Sequence, residues 1–104
     1  MNESVSKLTA KPIKDLEAQA KRLAVMAQPG LSRAIYPVHS PLDGDVVFAA
    51  STGRRPLPDD TIGLTHLGTL AANVVARAIA RGVFEATALA LPGALPSWND
   101  QFGR

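Results

Sequence analysis

Residues 37–45 read Pro-Val-His-Ser-Pro-Leu-Asp-Gly-Asp, and the apolar run Val-Val-Phe-Ala-Ala-Ser-Thr follows at residues 46–52. The run does not alternate between apolar and polar residues, which predicts a strand that is buried on both faces. Two carboxylates, Asp43 and Asp45, stand at the start of that strand. Because burying a charge without a partner is costly, we expect these carboxylates to have a specific role.

Only one such run is visible in the chain, and a lone strand has two edges whose backbone groups need ladder partners. The segments on either side of it have helical patterns, and helices cannot supply those ladder hydrogen bonds. The sequence therefore predicts an α/β fold with the order helix–strand–helix. We expect partner strands from another chain, or from copies of this one, to complete the sheet.

A first helix is predicted from Pro12, because proline is well tolerated at a first helical position. Its apolar positions recur at steps of four, three and four and form one face: Leu16, Ala20, Leu23 and Ala27. Pro29 interrupts this pattern, but an apolar spacing resumes at Leu31. Either a second helical turn or a kinked continuation is therefore expected there.

The longest predicted element is a helix from Ile62 to Ala88, about 40 Å long if continuous. Its polar residues are spaced four apart and form one narrow stripe: Thr69, Asn73, Arg77, Arg81 and Glu85. Nearly every other position is apolar or small, which is typical of a helix buried on more than one side. A chain of 104 residues can hardly surround such a helix. We therefore expect a large interface with a partner or with a second copy.

The chain divides into a lead at residues 1–11, an α/β domain at 12–90 and a tail at 91–104. The lead has little hydrophobic signal and is predicted to be a weak edge strand or disordered. The tail contains two prolines and a glycine, which predict no further helix beyond Leu89. Trp98 is expected to anchor the tail to another surface.

The charge is close to balanced, with 11 basic and 9 acidic residues scattered along the chain. Nucleic-acid binding needs clustered basic side chains, and the one basic pair, Arg54-Arg55, lies in a predicted surface loop, so we expect no nucleic-acid partner. With no cysteine and only two histidines, His39 and His66, we expect no metal and no cofactor. The first residues lack the apolar core of a signal peptide, and no run of about 20 apolar residues is present. We expect a soluble, cytoplasmic protein without membrane contact.

Residues 30–49, Gly-Leu-Ser-Arg-Ala-Ile-Tyr-Pro-Val-His-Ser-Pro-Leu-Asp-Gly-Asp-Val-Val-Phe-Ala, resemble the small, C-terminal subunit of a family of N-terminal-nucleophile hydrolases. That family, peptidase family S58, contains L-aminopeptidase/D-esterases, β-peptidyl aminopeptidases and the 6-aminohexanoate-oligomer endohydrolases known as nylon hydrolases. The similarity continues through Leu67-Gly68 and the alanine-rich segment 71–79, and it covers roughly residues 16–100. The joint pattern of Gly-Leu-x-Arg, Pro-Val-His, Asp-Gly-Asp and this segment is specific.

The resemblance implies an αββα sandwich, of which this chain is the helix–strand–helix portion that needs partner strands. It also implies a precursor that cleaves itself into a large and a small subunit, which then assemble into oligomers. The freed N-terminal Ser or Thr of the small subunit attacks an amide or ester carbonyl, and water releases the acyl-enzyme. Asp43 and Asp45 are similar to aspartates beside the nucleophile in the nylon-hydrolase branch, which implies that both are catalytic and favours an endo-amidase.

The family nucleophile opens a strand ahead of the first helix, and the corresponding position here is near Ser4. The segment after Ser4 lacks the β-branched run of a buried strand, and Glu3 is not the Asn or Gly expected before the cleaved bond. Because the chain starts with Met1, we also expect it to lack the large-subunit half. We therefore expect the isolated chain to be inactive. The alternative is a truncated, non-catalytic relative that acts as a self-associating or partner-binding module.

Each candidate residue also has a simpler explanation. The sequence at residues 43–45 is common in a turn before a strand. His39, between two prolines, is expected to be a packed loop histidine rather than a general base. Arg33 and Arg77 are able to bind a carboxylate, but Arg77 pairs most simply with an acidic residue on its own stripe. Asn73, on an otherwise apolar helix, is expected to make an interface hydrogen bond.

Overall fold

The computed structural model describes residues 13–57 and 59–103, in which three helices are separated by irregular segments. Helix α1 spans Ile13–Ala34, α2 spans Asp60–Glu85 and α3 spans Trp98–Phe102. The described residues contain no strand and no sheet. The predicted helix–strand–helix α/β fold, and with it the portion of an αββα sandwich, is therefore wrong, because the described chain is helical.

Helix α1 has Asp15 in its first turn and Arg33 in its last, as the helix dipole favours. Its predicted apolar face is confirmed, since Ala27 and Leu31 are almost completely buried. The helix continues through Pro29, which costs one backbone hydrogen bond because proline has no N–H. Of the two expectations for this point, continuation is correct.

Helix α2 is capped by Asp59 and begins at Asp60, two residues before the predicted start at Ile62. Asp59 Oδ1 accepts hydrogen bonds from the backbone N–H groups of Thr61 and Ile62, at 3.0 and 2.8 Å. The helix ends at Glu85, and Ala86 returns to extended backbone. The long helix is confirmed, and it begins earlier than predicted because the capping carboxylate, rather than the first apolar residue, sets its start.

Helices α1 and α2 approach most closely at two glycines. A Cβ atom built on Gly30 would lie 2.5 Å from the backbone oxygen of Ala72, so the two backbones meet directly there. A Cβ atom built on Gly68 would overlap the side chain of Met26. The buried apolar side chains among the described residues are few: Ala27, Leu31 and Ala72.

Residues 46–52, the predicted buried strand, have irregular backbone and no strand pairing. Val46 is 64% exposed and Phe48 is 89% exposed, while Val47 and Ala49 are half-buried, so one side of the segment is open to solvent. An apolar run becomes a strand only when its backbone groups find ladder partners. The described residues supply no such partner, and the run is therefore not a strand.

The chain is much less compact than a self-sufficient domain of its size. Its accessible surface is 8639 Å², whereas a compact monomer of 10.9 kDa exposes about 5,600 Å². Its radius of gyration is 18.9 Å, against roughly 13 Å for a compact domain of this length. Large apolar side chains along α2 are exposed: Ile62, Leu67, Leu70, Val74, Val83 and Phe84. In a single copy of the chain, α2 is therefore not buried on more than one side.

By length and composition alone, α2 is also able to cross a membrane, and only 11% of its most apolar stretch of 18 residues is buried. The expectation that no segment of the chain resembles a membrane span is therefore too strict for α2. One such helix is weak support for a span, because core helices of soluble proteins have the same composition. Arg77, Arg81 and Glu85 lie toward its C-terminal end, and charged side chains inside a bilayer are costly.

A short helix, α3, follows Pro96, so the prediction of no helix beyond Leu89 is wrong. Its start is a capping box formed by Ser97 and Asp100. Ser97 Oγ accepts a hydrogen bond from the Asp100 N–H at 3.1 Å, and Asp100 Oδ2 accepts one from the Ser97 N–H at 2.9 Å. The prolines separate α2 from α3, and the Ser-x-x-Asp sequence then starts a new helix.

Aromatic rings dock α3 on the end of α2. The ring centroid of Trp98 lies 5.7 Å from that of Phe84 and 5.8 Å from that of Phe102. Asn99 Nδ2 donates a hydrogen bond of 2.6 Å to the Phe84 C=O, one of the carbonyls that a helix end leaves open. The prediction that Trp98 anchors the tail is confirmed, and the surface to which it anchors belongs to the same chain.

Protonation of Asp100 is expected to release this tail. The hydrogen bond from the Ser97 backbone N–H, with a further contribution from the Ser97 side chain, lowers the pKa of the Asp100 carboxyl. A pKa lowered in the capped helix means that the carboxylate stabilises α3, which carries Trp98, above the ordinary aspartate pKa. This stabilisation disappears as the pH falls through the lowered value. We expect Trp98 fluorescence to change below about pH 4.

The variant Asp100→Ala provides the control for this acid transition. It removes both the charge and the acceptor for the Ser97 N–H, so its Trp98 emission at pH 7 should already resemble that of the acid form. An acid transition of the same size in Asp100→Ala would assign the change to another carboxylate and contradict the prediction.

Candidate functional site

The first predicted catalytic residue, Asp43, closes a tight turn that begins at Ser40. The Asp43 N–H donates to the Ser40 C=O at 2.9 Å, and the Ser40 N–H donates to Asp43 Oδ2 at 3.0 Å. Aspartate commonly stabilises turns in this way. The simpler explanation of Asp43 as a turn residue is thus supported. Its second oxygen, Oδ1, remains available to a ligand or to another group.

The second predicted catalytic residue, Asp45, lies on the same exposed segment. It makes no hydrogen bond or ion pair within the part of the chain that the structure describes. Gly44 separates the two aspartates, and a Cβ built on it would meet nothing within 4 Å. Both carboxylates are exposed to water. Their charges therefore carry no cost of burial that a partner would have to offset. Ser4, the predicted nucleophile position, lies outside the described residues.

The loop before the aspartates has an uncommon backbone. The peptide between Tyr36 and Pro37 is cis, and His39 has a φ of 58°, in the left-handed region that side-chain-bearing residues seldom occupy. His39 is exposed, so the expectation of a packed loop histidine is wrong. Strained φ/ψ angles of this kind cluster at functional sites. The strained residue lies four positions before Asp43, which makes this loop a candidate site in its own right.

Arg33 and Asn73 meet between the two long helices. Arg33 Nη1 donates a hydrogen bond of 2.6 Å to Asn73 Oδ1. Asn73 therefore has a hydrogen-bond partner within this chain, and a hydrogen bond across an interface with another chain stays a prediction. The bond joins the last turn of α1 to the middle of α2, so Arg33 is engaged in helix packing rather than held free for a substrate carboxylate.

On the polar stripe of α2, the ion pair joins Arg81 and Glu85 rather than Arg77 and Glu85. Arg81 Nη2 lies 3.7 Å from Glu85 Oε1, and the two side chains are 80% and 60% exposed. Such an exposed pair contributes little to stability. Arg77 has no ion pair among the described residues. In the same residues, no three His, Asp or Glu side chains are grouped so as to hold a metal ion.

A cavity of about 170 Å³ lies between the first half of α1, the start of α2 and residues 50–57. Most of its wall is apolar: Leu16, Ala20, Leu23, Leu57, Leu64 and Leu67. Three polar side chains also line it: Gln19, Ser51 and Arg55. The sequence predicts only a surface loop around Arg54-Arg55 and gives no indication that this loop forms the wall of a cavity. The available signal was Leu57, an apolar residue between two prolines, which packs on Gly63 in the first turn of α2.

Comparison with known proteins supports the resemblance described above. The sequence model of peptidase family S58 matches residues 4–94. Uncharacterized aminopeptidases of Mycobacterium bovis and Mycobacterium tuberculosis are each 38% identical over 95 residues, which cover 82% of this chain and 27% of the relative. An uncharacterized aminopeptidase of Mycobacterium leprae is 36% identical over 83 residues, which cover 70% of this chain and 23% of the relative. No solved structure matches.

The chain thus spans about a quarter of the length of these curated relatives. The matched region includes the turn with Asp43, the exposed Asp45 and both long helices. A family match over nearly the whole chain, together with relatives above one third identity, identifies the family. The chain belongs to peptidase family S58.

Proposed function

We propose that this chain is the small-subunit portion of an amide or peptide hydrolase and that it is inactive until a large subunit joins it. One observation carries the proposal: the chain matches the family over residues 4–94 but corresponds to only 27% of a full-length relative. The exposed apolar surface of α2 supports it, because the missing part of such a protein would bury that surface. We place the assembled enzyme in the cytoplasm.

In this proposal, an N-terminal Ser or Thr hydroxyl attacks the carbonyl carbon of the substrate. The nucleophile's own amine takes the hydroxyl proton and passes it to the leaving amine, and water then hydrolyses the acyl-enzyme. Asp43 and Asp45 orient the nucleophile and its proton-transfer network. Their exposure and the free Oδ1 of Asp43 fit this role, since a second chain segment has access to both carboxylates. Ser4 is the candidate nucleophile within this chain.

The first test is turnover by the purified chain alone. We expect no hydrolysis of amino-acid p-nitroanilides or 6-aminohexanoate oligomers by these 104 residues alone, because they span only about a quarter of the length of the relatives. A chimera in which this chain replaces the matching quarter of the Mycobacterium tuberculosis relative should hydrolyse the amides that its parent hydrolyses. Turnover by the isolated chain that Ser4→Ala abolishes would overturn the proposed inactivity. An inactive, folded chimera beside an active parent would count against the small-subunit role.

The alternative is a non-catalytic module that associates with itself or with a partner. Its support is the extended shape of the single chain, whose longest dimension is 62 Å and whose apolar side chains are open. Native mass spectrometry of the purified chain tests this alternative. If the purified chain is a multimer and its chimera is inactive, the module is favoured. If the purified chain is a monomer and its chimera is active, the hydrolase is favoured.

A further inference from the structure

We infer that the cavity between α1, α2 and residues 50–57 binds a small aliphatic carboxylate, whose charge Arg55 holds at the mouth. No part of the proposed hydrolase mechanism uses this cavity. It lies at the N-terminal half of α1, whereas Asp43 and Asp45 lie in the loop that follows the C-terminal end of that helix.

The size of the cavity limits the apolar part of the ligand. An apolar cavity of about 150 Å³ holds one benzene molecule, so a volume of about 170 Å³ suits a body of about six carbon atoms. Its wall comes from three separate chain segments, which makes it a concave site rather than a flat face. Gly53 helps to form it: its φ is 66°, and a Cβ there would lie 3.4 Å from Leu16 Cδ1. The loop therefore passes close over α1.

The polar groups of the cavity select an anion. Arg55 lines the cavity and is exposed, which places it at the mouth, and it has no hydrogen bond or ion pair among the described residues. Among the described residues, no acidic side chain lines the cavity. The nearby Asp59 already accepts two hydrogen bonds as the cap of α2. A free guanidinium beside an apolar cavity matches the planar charge of a carboxylate.

Ser51 adds a second donor. Its Oγ accepts a hydrogen bond from the Gly53 N–H at 3.2 Å, so its O–H is left to donate to a ligand oxygen. Gln19 contributes an amide to the same wall. The cavity thus offers one cation and two neutral polar groups beside an otherwise apolar wall. This combination favours a ligand with one charged end and one aliphatic end.

The test titrates the 104-residue chain with 4-methylpentanoate and follows its amide signals by NMR. Two matched compounds, 4-methylpentanamide and 4-methylpentylamine, have the same aliphatic body with no charge and with the opposite charge. We expect the carboxylate to bind, the amide to bind about tenfold more weakly, and the amine not to bind. Equal binding of all three compounds, or no shift of signals from the cavity residues at millimolar carboxylate, would overturn the inference.

Arg54 provides the matched control for Arg55, because it is adjacent and exposed but does not line the cavity. We expect Arg55→Ala to weaken carboxylate binding about tenfold and Arg54→Ala to change it less than twofold. Equal losses in both variants would show nonspecific charge attraction. Both side chains are exposed in a loop, so the helical circular dichroism of each variant should match the parent. Since binding requires no turnover, this result is independent of the proposed hydrolase function.

Discussion

Gly30→Ala is expected to lower the free energy of unfolding by about 2 kcal/mol, although alanine is the better helix former. The new Cβ would lie 2.5 Å from the Ala72 backbone oxygen and 2.8 Å from the Val75 Cβ. A backbone oxygen within α2 is unable to move aside without shifting the helix. The two long helices must therefore separate, and the few buried side chains between them become exposed. Urea unfolding followed by helical circular dichroism measures the loss.

Gly82→Ala is the matched control, because Gly82 is also a helical glycine but a Cβ there meets nothing within 4 Å. We expect it to raise the free energy of unfolding by up to about 1 kcal/mol through helix propensity alone. Gly68→Ala should also lower the free energy of unfolding. The end of the Met26 side chain is able to move aside, but its Cβ, 2.8 Å from the new Cβ, moves only with the backbone of α1. If alanine stabilises the chain equally at residues 30 and 82, the helices do not cross at Gly30.

The two long helices could be predicted because each has a local signal that does not depend on the rest of the protein. The four-three-four spacing from Leu16 to Ala27 places one face against a neighbour in any fold. The close approach of the two helices depends on small residues on both of them, Gly30 on α1 and Ala72 on α2. The capping signals of Asp59 and Ser97 are equally local, but the two prolines shortly before Ser97 favour a loop over a helix start.

The irregular backbone of residues 46–52 could not be predicted, because strand formation is not local. The run from Val46 to Thr52 has a strand-like composition, but whether it pairs depends on backbone partners elsewhere. The cavity could not be predicted for the same reason: Leu16 and Leu57 are brought together only by the packing of the loop over α1. The family was recognised because its motif is contiguous in sequence and needs no tertiary contact.

In the active chimera, Asp45→Asn is expected to lower kcat about 100-fold with little change in KM. Asp45 has no structural hydrogen bond among the described residues, so replacing its charge should leave the fold intact. Glu17→Gln is the control, because it removes one exposed carboxylate from α1 and should leave kcat within twofold. The rates are measured with the amino-acid p-nitroanilide that the chimera hydrolyses best. Full activity of Asp45→Asn would remove this residue from the proposed site.

The same chimera separates the two roles of Asp43. Asn at this position keeps an oxygen that accepts the Ser40 N–H, so the turn survives while the charge is lost. Ala loses both the charge and the turn. If Asp43 only shapes the turn, Asp43→Asn retains kcat and Asp43→Ala lowers the thermal midpoint. If Asp43 also acts on the nucleophile, Asp43→Asn lowers kcat about 100-fold at an unchanged thermal midpoint, because the lost charge and not the lost turn is then responsible.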